Sequence, residues 1–226
     1  MTHRERLLAA LEHREPDRVP MDLGSARFTG IVNGAYDRLR THLGFGKPGV
    51  LIDRMQQLCD MDEQVLERLD VDIRAVNQGA PDRGADIDLD ENTYQDEWGV
   101  VRTRPPGCVY YDMTKSPLAG DITTETIARY KWPDPADPGR SRGLREKAKR
   151  LREETDYAIL YNARYHAVHQ TQYLRGFQDW YMDLGGNPEL FRCLMDAVVE
   201  ILIEMNRGPL EQLGDLIDVV AFGDDI

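Results

Sequence analysis

Apolar positions recur along the chain with two periods, and the alternation between them lays out its elements. Thr2 and Glu5 stand at capping-box spacing, and Leu7, Leu8 and Leu11 follow as a stripe at helical intervals. Pro16 bounds that first helix. RVPMDLG reads as a short strand that breaks at Gly24. FTGIVNGAYDRLRTHLG reads as a loop and a helix closed by Gly44. VLIDRMQQLCDMDEQVLERLD predicts more helix, and VDIRAV predicts a second strand. From Asn77 to Trp132 the runs shorten, and β-branched and aromatic residues alternate with turn residues such as Pro105-Pro106-Gly107. That pattern predicts a β-hairpin insertion over about 85–132.

KWPDPADPGR is a rigid connection, and SRGLREKAKRLREETD is a charged helix whose charges read as a solvated face. YAILYNA predicts a third strand. A long helical region follows, split at Gly185-Gly186-Asn187-Pro188, with Asn187 as cap and Pro188 in the first turn. IDVVAFG predicts a fourth strand. Strands separated by long helical connections imply parallel βαβ units. Two α/β architectures fit this order: an open doubly wound sheet, or part of a (β/α)8 barrel.

The 226 residues carry a net charge of −12 with 41% hydrophobic residues. An acidic surface disfavours phosphate backbones and anionic lipid, so neither nucleic acid nor membrane is an expected partner. The N-terminus lacks the apolar core of a signal peptide, and no apolar run is long enough to span a bilayer. Cys59, Cys108 and Cys193 have no CxxC spacing, which is the pattern of reduced thiols in a cytoplasmic protein.

In both architectures ligands bind at the C-terminal ends of the strands. Asp22 and Arg27 follow the first predicted strand, and Asn77 ends the second. Asn162, Arg164, Tyr165 and His166 follow the third, and Asp224 and Asp225 follow the fourth. Asp22 either caps a loop or meets a ligand, and Arg27 either pairs with a surface acid or grips a carboxylate or phosphate. His166 and His169 are three residues apart, but a zinc pair needs a third ligand. Adjacent Asp224 and Asp225 point to opposite sides of an extended chain, so one can face a site. The catalytic candidates are Asp224, Asp225 and His166. The substrate-binding candidates are Asp22, Arg27, Asn77, Asn162, Arg164 and Tyr165. No GxGxxG, GxxxxGK[ST] or GxSxG motif is present.

Several stretches taken together carry a resemblance: RERLLAAL, HREPDRVPMDLG, DEWGVVRTRP, WPDPADPGR, QYLRGFQDWYMDL and DVVAFGDDI. In their order and spacing they resemble the uroporphyrinogen decarboxylase superfamily, closest to its corrinoid and coenzyme M methyltransferase branch. The resemblance implies a (β/α)8 barrel, of which this chain supplies the N-terminal helix and about four parallel strands plus the β-hairpin insertion, as one incomplete domain over 1–226. It implies a methyltransferase that moves a methyl group between a small methylated substrate, a corrinoid protein or a thiol. Zinc and a corrinoid are expected of the full-length relatives. Their zinc ligands, a His-x-Cys pair and a later Cys, have no counterpart here, so no cofactor is expected in this fragment and it is expected to be inactive alone. The unpaired strand edges of a partial barrel predict self-association. A decarboxylase would need several arginines after the first strand, where LGSARFTGI offers Arg27 alone, and an acid after the second, where Asn77 stands. Tetrapyrrole decarboxylation is therefore the alternative, and a non-catalytic ligand-binding module a third reading.

Overall fold

The computed structural model describes residues 1–46, 48–164 and 166–224. In chain order the elements begin with α1 (His3–Leu11), α2 (Asn33–His42), β1 (Val50–Asp53), β2 (Leu58–Asp60), α3 (Glu63–Arg68) and β3 (Ile73–Asn77). Next come β4 (Ile87–Asp90), β5 (Thr93–Gln95), β6 (Val101–Thr103), β7 (Asp112–Lys115), α4 (Thr124–Ala128) and α5 (Leu144–Glu154). The chain continues with β8 (Ala158–Asn162), α6 (Ala167–Arg175), α7 (Phe177–Gly186), α8 (Pro188–Leu213) and β9 (Val219–Ala221). They fall into two compact units.

The first unit comprises Met1–Gln78, Gly143–Ala163 and Leu210–Ala221. Its centre is a three-stranded sheet in the order β3-β8-β9, with both pairings parallel. One face packs Val76, Ile159 and Tyr161 against Leu144 and Ala148 of α5 and against Leu213. The other packs Ile73, Ala158 and Leu160 against Leu7 of α1. Thr2 caps α1 in a full capping box with Glu5.

Two sequence expectations are corrected here. RVPMDLG is not a strand: Pro20 has no N–H to donate, and the Met21 N–H is taken by the Asp72 carboxylate at 2.7 Å. A backbone bond from Asp72 N–H to Met21 C=O, 2.9 Å, still ties the segment to the start of β3. VLIDRMQQLCD is not helical but forms the antiparallel β1–β2 hairpin, with Val50 opposite Asp60. β-Branched Val50 and Ile52 favour that choice, and Gln57 turns the chain at φ 58°. Among the described residues the parallel sheet therefore has three strands rather than four, and they do not close into a barrel.

The second unit comprises Gly79–Arg142, Arg164–Pro209 and 222–226. The region read as a hairpin is a four-stranded antiparallel meander, β4-β5-β6-β7. Its core joins Trp98, Val100 and Leu118 to Leu174 of α6 and to Leu190, Leu194, Val198 and Leu202 of α8. α6 and α7 are separate helices because Gly176 sits at φ 83°, a break that the helical periodicity conceals. Gly79 and Gly139 lie back to back, and a Cβ on Gly79 would come within 2.4 Å of the Gly139 carbonyl oxygen. The connection at Asp137 is fixed by its carboxylate, which accepts N–H bonds from Asp82, Gly139 and Arg83 at 2.7, 2.8 and 3.1 Å. Among the described residues no helix is long and apolar enough to cross a membrane.

Charged groups cluster at the strand starts of the first unit. Arg6 donates to Asp17 at 2.6 Å, and that bond holds the Asp17 carboxyl well below the usual carboxylate range. His3 and Arg18 hold Asp70 below its ordinary value in the same way. In the second unit the backbone N–H groups around Asp137 do so for its carboxyl. A depressed folded-state pKa gives stability that is present above the unfolded value of 3.8 and lost as pH falls below it. The expected result is a loss of stability between about pH 4 and pH 2, moderated because Asp17 and Asp70 are screened by solvent. Urea melts across that range should show a shallower acid limb for Asp17→Asn, and an unchanged limb would refute the assignment.

Candidate functional site

Two side chains at the C-terminal edge of the first unit's sheet stand in register. Asn77 ends β3 and pairs with Asn162, which ends β8, and Asn162 pairs in turn with Ala221. Both asparagines are half-buried. The Asn77 Oδ1 atom is fully buried and meets no hydrogen-bond donor among the described residues. Behind this edge the Gln78 Nε2 donates to the phenolic oxygen of fully buried Tyr161 at 2.5 Å.

Asp22 and Arg27 are both engaged locally. The Ser25 Oγ donates to Asp22 Oδ2 at 2.5 Å, and the Ser25 N–H donates to Oδ1 at 3.3 Å, so Asp22 closes its own loop. The Arg27 guanidinium pairs with Asp53 of β1. Asp53 was not evident in the sequence, because its hairpin reads there as helix.

In the second unit, Arg164 and His166 flank position 165, and Tyr165 and Asp225 lie outside the described residues. Arg164 lies 3.5 Å from Glu97, whose carboxylate also accepts 2.5 and 3.3 Å bonds from deeply buried Arg140. The Arg164 carbonyl accepts from Asn206 at 3.1 Å. The His166 carbonyl accepts the Gln170 N–H at 2.9 Å and opens α6.

Asp224 sits at the start of α6. Its carboxylate accepts the Val168 N–H at 2.7 Å and the His169 N–H at 3.2 Å, and its Oδ1 lies 3.3 Å from the His169 imidazole. A carboxylate on the first free N–H groups of a helix is favoured by their partial positive charge. The next residues form a continuous stack: His169 lies against Tyr173 (5.7 Å between ring centres), and the Arg102 guanidinium lies 4.3 Å over the Tyr173 ring. Asp96 receives Arg102 at 3.1 Å, and burial pushes its carboxyl above the ordinary value despite that cation. Glu97, Arg140 and His169 complete the neighbourhoods of the sequence candidates. Among them, only the His169 position, one turn beyond His166, was signalled by the sequence.

The zinc that the family resemblance implies does not fit the residues present. Among the described residues no group of three or more His, Cys, Asp or Glu side chains could hold a metal ion. Burial pushes the Cys59 thiol up, and the thiol points to Asn33 Oδ1 at 3.5 Å, an inert arrangement. A shallow acidic depression lined by Glu67, Glu153, Glu154 and Asp156 lies at the start of β8, away from the strand ends.

No family model and no curated protein matches the chain. A solved structure, a methyltransferase from Methanosarcina mazei, is similar in fold, with a TM-score of 0.52 at 18% identity. The similarity covers 99% of this chain and 59% of that protein's chain. The present chain thus shares its fold with 59% of the length of that protein.

Proposed function

We propose that this chain is the N-terminal portion of a (β/α)8 barrel of the uroporphyrinogen decarboxylase superfamily, in its methyltransferase branch, and that it binds a small methylated substrate at the ends of its parallel strands. The observation that carries this reading is the likeness in fold, along 99% of the chain, to a methyltransferase of greater length. The sequence motifs support the same branch. In the first unit the binding candidates are Asn77 and Asn162, which end β3 and β8. In the second unit, taken by itself, Arg164 is a binding candidate and His166 a catalytic one. Asp22 and Arg27 shape the loop after Pro20. Asp224 holds the start of α6. A corrinoid protein is the expected methyl-transfer partner. No step is routed through zinc, because no group of donors for it stands among the described residues.

The decarboxylase alternative has one weakness of charge. A polycarboxylate guest needs several guanidiniums, and Arg27 is already paired with Asp53. The test is a thermal-shift panel of O-, N- and S-methylated small molecules beside a uroporphyrinogen. A methylated compound at 100 times its Kd adds about 2.7 kcal/mol, or several degrees in Tm for a chain of this size. A saturable rise with a methylated compound and none with the tetrapyrrole is expected. The reverse ranking would replace the proposal with the decarboxylase, and no rise with either would overturn both.

A further inference from the structure

His3 opens α1, and both nitrogens of its ring meet a carboxylate. Nδ1 lies 3.1 Å from Asp156 Oδ1, and Nε2 lies 3.0 Å from Asp70 Oδ1. Asp70 follows α3, and Asp156 precedes β8. The imidazole also lies against the Tyr157 ring, with 4.7 Å between ring centres. One side chain therefore joins the first turn of α1 to the segments that lead into β3 and β8. All of these residues belong to the first unit. Arg4 runs beside the same joint: its N–H donates to the Asp156 carbonyl at 2.8 Å, and its guanidinium donates to the Tyr157 carbonyl at 3.0 Å.

A neutral imidazole carries one N–H and one lone pair, whereas the imidazolium donates from both nitrogens. An ionised carboxylate only accepts. In the neutral form, one of the two contacts would set a ring lone pair against a carboxylate, so the cation alone satisfies both. Its place in the helix sharpens the point. His3 is the first residue of α1, where a cation opposes the partial positive charge of the helix start. The two acids offset that cost. The other charges nearby are engaged. Asp70 also accepts from Arg18 at 2.8 Å, Glu5 closes the capping box with Thr2, and Arg4 lies 3.4 Å from Asp218. Arg74 stacks 3.5 Å over the Tyr157 ring and binds Glu63 at 2.6 Å. Glu67, Glu153 and Glu154 line the depression that Asp156 and Tyr157 share, and they add negative charge beside the joint.

We propose that His3 is a proton-dependent clasp: as imidazolium it bridges Asp70 and Asp156 and fastens the start of α1, and loss of the proton opens one of the two arms. Imidazole changes charge between about pH 5 and pH 8. The folded chain makes two contacts with the bound proton that the unfolded chain does not make. The stability of the clasp is therefore present at the acid end of that window and lost as pH rises through it. This is the opposite sign to Asp17, whose contribution is lost as pH falls. α1 lays Leu7 on the sheet beside Ile73, Ala158 and Leu160, so the clasp sets how firmly that apolar face is covered.

The test is urea unfolding of the intact chain at about pH 5.5 and about pH 8, the two ends of the imidazole range, followed by far-UV dichroism. The parent is compared with His3→Gln, whose side chain is polar but takes no charge, and with Asp156→Asn, which removes one arm. His13, His42, His166 and His169 are common to all three chains, so their titration cancels in the comparison. Both acids are exposed, so the two pairs together are worth about fivefold in the folded-to-unfolded ratio. The parent should exceed His3→Gln by that factor at the acid pH, and the difference should close at the alkaline one. Asp156→Asn should lose part of the advantage at the acid pH and match the parent at the alkaline one. An equal advantage at both pH values would show a neutral hydrogen bond and overturn the clasp. So would an advantage that grows with pH, or none at either. Should His3→Gln fail to fold, the same pattern in Asp156→Asn decides the matter alone.

Discussion

Asp72→Ala is expected to cost the first unit about 3–5 kcal/mol, the range for breaking a buried ion pair from one side. Asp72 is fully buried where β3 begins. Its carboxylate accepts from Arg6 at 2.5 Å, from both terminal nitrogens of Arg18 at 2.7 and 3.0 Å, and from the Met21 N–H at 2.7 Å. Its own backbone reaches both ways, donating to Met21 C=O and accepting from Ala158 N–H at 3.0 Å. One residue thus ties α1, the segment around Pro20 and β8 to the same strand. Alanine would leave two guanidiniums facing a void with only part of their bonds. Asp72→Asn keeps the shape but turns an N–H toward those guanidiniums, so it should recover little.

The readout follows from where the tryptophans lie. Trp98, Trp132 and Trp180 all belong to the second unit, so far-UV dichroism must report the first. A urea transition moved by less than about 1 kcal/mol would mean that the charges are solvated rather than buried. Arg6→Met combined with Asp72→Leu is the complementary check. Removing both partners should hurt less than removing the carboxylate alone, since the buried Arg6 charge is no longer stranded and the part-exposed Arg18 keeps Asp70.

What the sequence could and could not show follows from the range of each interaction. The capping box at Thr2 and Glu5, the close at Gly44 and the split before Pro188 are local, and they are legible in a few consecutive residues. β3, β8 and β9 read as apolar runs because their sheet is covered by helices. RVPMDLG reads as a strand by the same pattern, yet its ladder bond is displaced by the side chain of Asp72, about fifty residues away in sequence, which no local window contains. VLIDRMQQLCD carries helical spacing, but β-branching and the turn at Gln57 prevail. Asn77 and Asn162 stand out singly as polar strand ends. Their pairing is invisible until register is known, since a shift of one residue would turn either to the other face. Arg27 and Glu97 illustrate the remaining gap: the sequence shows a charge, and only the fold shows the opposite charge that engages it.

Arg175→Met is expected to be as damaging to the second unit as Asp72→Ala is to the first, at about 3–5 kcal/mol. Arg175 ends α6 and is buried. Its Nε donates to Asp183 at 2.7 Å, and one terminal nitrogen donates to the Leu118 and Gly120 carbonyls at 2.6 Å each and lies 3.3 Å from Asp179. Asp179 accepts the Gly120 N–H at 2.7 Å in return, so the guanidinium joins both acids of α7 to the turn after β7. Because Gly176 breaks the helix, no continuous backbone ladder holds α6 to α7 at this point. The arginine supplies that link. Methionine would fill the space but strand Asp183, which is itself buried, and leave two carbonyls without their donor. Arg175→Lys keeps the charge, but a single ammonium cannot span the fork of acceptors, so about half of the loss should persist. Trp180 reports directly, since its indole N–H donates to Thr171 at 2.9 Å one turn before Arg175. Its fluorescence transition in urea should shift in both variants and more in the methionine variant. A lysine variant as stable as the parent would show that charge alone holds the joint, and would remove the geometric role assigned here to the guanidinium.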